Sequence, residues 1–162
     1  PEEAPLVPGA SSAWSFSLHR WTASQCWSSR RSQSPAGGAG PVGRAPLAAR
    51  GPRPLSEAIL FTTFPEVGTD EEGAAFRRLL PRMRLTRYGM DCYAYALIAA
   101  GQIDLVVEAG LQPYDVMAPI AVIEAAGGIV TDWAGGPAHQ GGRVLAAANR
   151  DVHAAALEIL NG

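Results

Sequence analysis

From about Leu55 to the C-terminus, apolar and polar positions follow two alternating periods. The run EAILFTTFP, Glu57–Pro65, is short, apolar and β-branched and ends at proline, which predicts a buried strand. TDEEGAAFRRLLP, Thr69–Pro81, predicts a helix: Thr69 can cap it, its first turn is acidic, its last turn is basic, and Pro81 stops it. MRLTRYG, Met83–Gly89, alternates as a strand does. DCYAYALIAAG, Asp91–Gly101, predicts a helix closed by glycine. IDLVVEAG, Ile103–Gly110, predicts a strand, and Pro113–Ala126 a helix closed by Gly127 and Gly128. GIVTDW and RVLAAAN predict two more strands, and RDVHAAALEIL a final amphipathic helix. About five strands and four helices in alternation predict a layered α/β architecture. The segment between Trp133 and Arg143 allows a hairpin-like return, so the sheet is not expected to be purely parallel.

Residues 1–54 lack either period. Their tryptophans, serine and arginine runs, and later Gly/Ala/Pro stretch set them apart from residues 55–162. Two readings are open: a disordered low-complexity arm, or translation out of frame. The second is suggested by His19-Arg20-Trp21-Thr22-Ala23, whose codons shifted by one base can spell Ile-Asp-Gly-x-Pro.

Composition narrows the function. The chain has 162 residues, 48% hydrophobic and 17% charged, with a formal net charge of -2. That length suits one ordinary globular domain. The charge offers no electrostatic footprint for nucleic acid and no polybasic membrane patch. No apolar run approaches the roughly 20 residues that span a bilayer. Cys26 and Cys92 fit no metal-ligand spacing, and reduced thiols in a cytoplasmic setting are expected. The chain starts at Pro1 rather than methionine, as a fragment would.

Three acids are candidates for chemistry. Asp115 lies in the first turn of the helix in GLQPYDVMAPIAVIEAAGG, where an acid also complements the helix dipole by about 0.3–1 kcal/mol. Asp91 begins the preceding helix and would serve equally as its N-cap. Glu108 ends the strand between them and would serve equally as a solvated strand-end acid. All three fall at strand–helix junctions, where α/β folds place ligand groups. Together they would suit a hard cation such as Mg2+, or an amine-bearing substrate. The other candidates are weaker. His139 sits in the Gly-rich loop GGPAHQGG and reads as solvated. His153 reads as a surface or interface residue, Cys92 as a small core residue, and Trp133 as packing.

Asp115, the helix after it and its closing Glu-Ala-x-Gly-Gly resemble the C-terminal signature of the inositol monophosphatase family. The resemblance spans roughly Leu55–Gly162 and includes GQIDLVVEAGLQPYD, GGIVTDWAGGP and RVLAAAN. Within the family, RYGMDCYAYAL, Tyr114 and Met117 look most like bacterial histidinol-phosphatase. The resemblance implies a layered αβαβα sugar-phosphatase-like fold, here its C-terminal half. It also implies Mg2+-dependent hydrolysis of a small phosphorylated metabolite, with water attacking phosphorus, and a homodimer. It makes Asp115 a metal ligand and turns Asp91 and Glu108 toward the non-phosphate part of the substrate. Histidinol carries an ammonium and a basic imidazole that two acids would attract, whereas inositol is neutral. Inositol monophosphate is the alternative substrate.

The family's N-terminal half supplies a glutamate and an Asp-Pro-Ile/Leu-Asp-Gly-Thr motif, and neither is found here; Glu2-Glu3 is followed by nothing that matches. The expected consequences are an incomplete catalytic set, a chain inactive alone or an inactive remnant or oligomerisation module, and an exposed sheet edge with apolar surface.

Overall fold

A computed structural model describes residues 46–162, which lie within one compact unit, Arg44–Gly162. The expectations for residues 1–45, including the frame reading, Cys26 and Glu2-Glu3, fall outside the described residues. The elements run β1 (Ile59–Thr62), α1 (Asp70–Leu79), β2 (Leu85–Tyr88), α2 (Cys92–Ala99), β3 (Leu105–Leu111), α3 (Pro113–Ala125), β4 (Ile129–Thr131), β5 (Gly142–Ala147) and α4 (Arg150–Asn161). The five strands form one sheet in the order β2-β1-β3-β5-β4. β1 pairs parallel with β2 and β3, whereas β5 runs antiparallel to both β3 and β4. The sheet is therefore mixed, and the return after Trp133 is the β4–β5 hairpin.

Local chemistry accounts for the helix ends. Thr69 N–H donates to Glu72 Oε2 at 2.8 Å and Glu72 N–H to Thr69 Oγ1 at 3.3 Å, a reciprocal capping box that starts α1. α3 ends where Gly127 takes φ +88. Gly127 N–H then donates to the Glu124 carbonyl and Gly128 N–H to that of Ile123, a Schellman closure. Gly128 also lies where a Cβ would come within 2.8 Å of the Ala147 carbonyl oxygen, so the two glycines serve different needs. One gives the backbone a left-handed residue, and the other lets α3 approach β5.

The sheet is covered on both faces. On one face α2 and α3 pack Tyr95, Ile98, Val116 and Ile123 against Val106, Val144 and Val130. On the other, α1 and α4 pack Phe76, Leu79, Val152 and Leu160 against Leu60, Leu105 and Leu145. Alternating strand residues serve the two cores. Trp133 is a packing residue as expected: it is buried, and its Nε1–H donates to the Val144 carbonyl at 3.1 Å.

At the N-terminal ends of the parallel strands lies a buried carboxylate that the sequence pattern did not single out. Asp104 is fully buried, with Arg50 Nη1 and Arg53 Nε each 3.0 Å from one of its oxygens. Ile59 N–H donates to Asp104 Oδ2 at 2.9 Å, and Arg50 Nε–H to the Gly101 carbonyl at 2.8 Å. The Arg53 contact brings opposite charges together without hydrogen-bond alignment, so it acts through Coulomb attraction alone. Residues 50–53 are thereby fastened to the start of β3.

Among the described residues, no helix is long and apolar enough to cross a membrane.

Candidate active site

The parallel strands β1, β2 and β3 end on one edge of the sheet. There a cavity of about 570 Å³ is lined by Thr63, Tyr95, Asp91, Glu108, Tyr114 and Asp115, among others. The three acids singled out in the sequence thus meet in one cavity at the C-terminal strand ends.

Their settings differ from the simplest sequence readings. Glu108 does not end its strand and is not solvated: it lies inside β3 and is 5% exposed. Tyr95 O–H donates to Glu108 Oε2 at 2.6 Å, Thr63 N–H donates to Oε1 at 3.2 Å, and the Thr63 hydroxyl also donates to Oε1. Burial first, and then the charge and hydrogen bond of Glu108 with a contribution from Asp115, hold the Tyr95 phenol far above its ordinary range. Tyr95 is therefore a permanent donor. Just beyond Glu108 the β3–β5 register shifts and Gly110 takes φ +78, a bulge that lets the strand bend at the cavity wall.

Asp91 occupies the N-cap position of α2, but its side chain makes no capping bond. Its backbone is at φ +41, and Met90 before it is at φ +81. Left-handed conformations in non-glycine residues cost on the order of 1–3 kcal/mol each and cluster at functional sites. Asp115 closes the first turn of α3 and also faces the cavity. Its Oδ2 accepts from Gln112 N–H at 2.8 Å, tying the start of α3, while the residue stays exposed on the cavity wall. Pro119, one turn on, has no N–H to donate to the Asp115 carbonyl.

The readings of Cys92, His139 and His153 are settled by burial. Cys92 is not a core residue: it is exposed on the cavity rim, because it falls in the first turn of α2. His139 is exposed, as a loop residue should be. His153 is buried rather than at the surface, because its face of α4 turns toward β4. The Thr131 hydroxyl spends its proton on the Asp132 carbonyl at 2.7 Å, so His153 Nε2–H must donate to Thr131 Oγ1, also at 2.7 Å. Burial, and secondarily Arg150, lower the His153 pKa below its usual value of about 6.5. Between that lowered value and about 6.5 the unfolded chain binds more protons than the folded one. The neutral imidazole's stabilisation is therefore complete above about pH 6.5 and is lost as pH falls through the folded-state pKa. Urea melts of His153→Gln should lose this part of the acid-side slope, whereas an unchanged slope just below about pH 6.5 would reject it.

Among the described residues, no salt bridge engages Asp91, Glu108 or Asp115. No group of three or more His, Cys, Asp or Glu side chains there is disposed to hold a metal ion. With one Asp115 oxygen bound to Gln112 and both Glu108 oxygens engaged, the described residues do not compose a Mg2+ site by themselves.

A model of the inositol monophosphatase family matches residues 19–161. The chain belongs to the inositol monophosphatase family. It is 44% identical over 115 residues to the bifunctional phosphatase IMPL2, chloroplastic, of Arabidopsis thaliana, a match covering 65% of this chain and 33% of that protein. It is 34% identical over 114 residues to the inositol-1-monophosphatase of Caulobacter vibrioides, covering 67% of this chain and 44% of that protein. Among solved structures, an inositol monophosphatase from Zymomonas mobilis superposes with a TM-score of 0.68 at 36% identity, over 72% of this chain and 47% of the other. The fold is thus the expected one, present in part, and the chain spans about a third to under a half of the length of the curated relatives it matches.

Proposed function

We propose that this chain carries the C-terminal part of a Mg2+-dependent phosphate-monoester hydrolase site, within residues 55–162, and that its substrate is a small phosphorylated metabolite of the inositol monophosphate type. The carrying observation is the convergence of Asp91, Glu108 and Asp115 on one cavity at the C-terminal strand ends. Asp115 contributes one metal ligand, and Asp91 and Glu108 face the non-phosphate part of the substrate. The inositol class leads because of the names of the relatives and because Tyr95 and Thr63 already occupy both Glu108 oxygens. A second reading, histidinol phosphate, is supported by the lack of a basic partner to these acids among the described residues, a setting that favours a cationic alcohol.

The test grafts residues 55–162 in place of the matching part of the Zymomonas mobilis enzyme. Phosphate release is then measured from inositol monophosphate and from histidinol phosphate, with Mg2+ and with chelator. Magnesium-dependent release is expected, falling at least about 10–100-fold on Asp115→Asn. Preference for histidinol phosphate selects the second reading. A folded chimera that hydrolyses neither defeats both and leaves an inactive remnant.

A further inference from the structure

The donors around Glu108 determine what that carboxylate has left to give. Its Oε1 accepts from both the N–H and the hydroxyl of Thr63. Its Oε2 accepts from Tyr95 O–H alone, at 2.6 Å. A carboxylate offers about four acceptor directions, two on each oxygen. Among the described residues three of these are taken, and the open one belongs to Oε2. Glu108, Thr63 and Tyr95 all line the cavity.

Thr63 alone would not fix the group. Two bonds to one oxygen form a pivot about which the other oxygen can swing. The bond to Oε2 stops that swing, and it comes from a side chain held by its own packing. Tyr95 is 3% exposed and shares a core with Ile98, Val116 and Ile123. Thr63 follows β1 and Tyr95 lies in α2, so the grip spans two elements. Burial, and then the Glu108 charge, keep the phenol protonated, so the bond keeps its direction at any ordinary pH. A tyrosine needed only for packing could give its proton to a main-chain carbonyl. This one gives it to the acid on the cavity wall.

We infer that Tyr95 is a positioning residue for the substrate pocket: with Thr63 it locks Glu108 so that a single acceptor direction, on Oε2, meets one hydroxyl or ammonium of the substrate's non-phosphate part. Tyr95 does not itself touch the substrate. A planar group that offers two donors side by side, as a guanidinium does, finds only one acceptor here and is disfavoured. The inference deepens the phosphatase reading above and rests on it for the class of substrate.

The first test uses the whole chain. Its glutamates are labelled with carbon-13 at the carboxyl, the Glu108 signal is assigned with Glu108→Gln, and myo-inositol or histidinol is added. One of the two alcohols is expected to shift that signal saturably. Tyr95→Phe should weaken the binding about tenfold, the scale of one hydrogen bond to a charged group. Thr63→Val, which removes a donor from the other oxygen, is the companion variant and should weaken binding in the same way. Binding of neither alcohol, or binding that both variants leave unchanged, overturns the inference. The second test uses the chimera proposed above. Tyr95→Phe should raise KM for its preferred phosphate ester about tenfold and leave kcat within about twofold, as loss of ground-state binding does. KM for p-nitrophenyl phosphate, whose ring carries no donor, should not move. An equal rise for both substrates marks a merely structural tyrosine and overturns the inference. Tyr95-dependent binding of the alcohol without phosphate release from the chimera counts against the phosphatase reading and leaves the grip on Glu108 standing.

Discussion

Replacing Asp104 with alanine is expected to lower the unfolding free energy by about 3–5 kcal/mol, the usual cost of removing one partner from a buried ion pair. The substitution leaves Arg50 and Arg53, whose side chains are 21% and 30% exposed, without their shared counter-charge. It also strands the Ile59 N–H that donates to Asp104 Oδ2. The partial exposure of both guanidiniums lets water recover some of the loss, so the lower end of the range is the better expectation. Asp104→Asn separates charge from hydrogen bonding: it can still accept from Ile59 and should be less damaging. Urea denaturation of the three proteins decides the matter. A loss under about 1 kcal/mol for alanine would show that the arginines find water as good a partner as the carboxylate.

The second large effect is expected from Phe76→Ala, at about 3–5 kcal/mol. Phe76 is fully buried on α1, in the core that also holds Leu60, Leu105, Leu145, Val152 and Leu160. It joins one helical layer to the three central strands, so its loss opens a cavity that rigid strand backbone cannot close. Against a typical total of about 5–15 kcal/mol, this removes a large share of the stability. Phe76→Leu keeps most of the volume and should cost less than about 1.5 kcal/mol. A small loss for alanine together with an equal loss for leucine would mean that this layer is loosely packed.

How much of this the sequence foretold varies by element. α1 and α4 were legible because each buries one apolar face, β1 and β3 because they are short apolar runs, and the α1 start because Thr69 and Glu72 stand at capping-box spacing. The hairpin return was legible from its glycines. Asp91 and Asp115 could be found because helix starts are marked in sequence. What the sequence could not disclose are pairings set by the sheet order. Arg50 meets Asp104 across 54 residues, and Thr63 meets Glu108 across 45. No local period records such a meeting, which is why a solvated Glu108 stayed open as a reading and Tyr95 drew no notice. Cys92 and His153 were misplaced for a related reason. A helix of eight residues gives little phase to judge which side faces in, and the His153 side of α4 is decided by β4.

The strand order has a kinetic consequence. β4 and β5 are joined directly through Asp132 to Gly141 and can pair early, because that loop costs less chain entropy to close than the longer separations of the other pairings. β1 and β3 are neighbours in the sheet but are separated in sequence by α1, β2 and α2, the widest gap among the pairings. Contacts of such separation form late and slow the folding of a chain. The bond from Thr63 to Glu108 spans that same gap. The carboxylate on the cavity wall is thus expected to be fixed in one of the last steps of assembly. Partly folded molecules would hold a formed hairpin and an unformed site, and amides of β5 should gain exchange protection before that of Thr63.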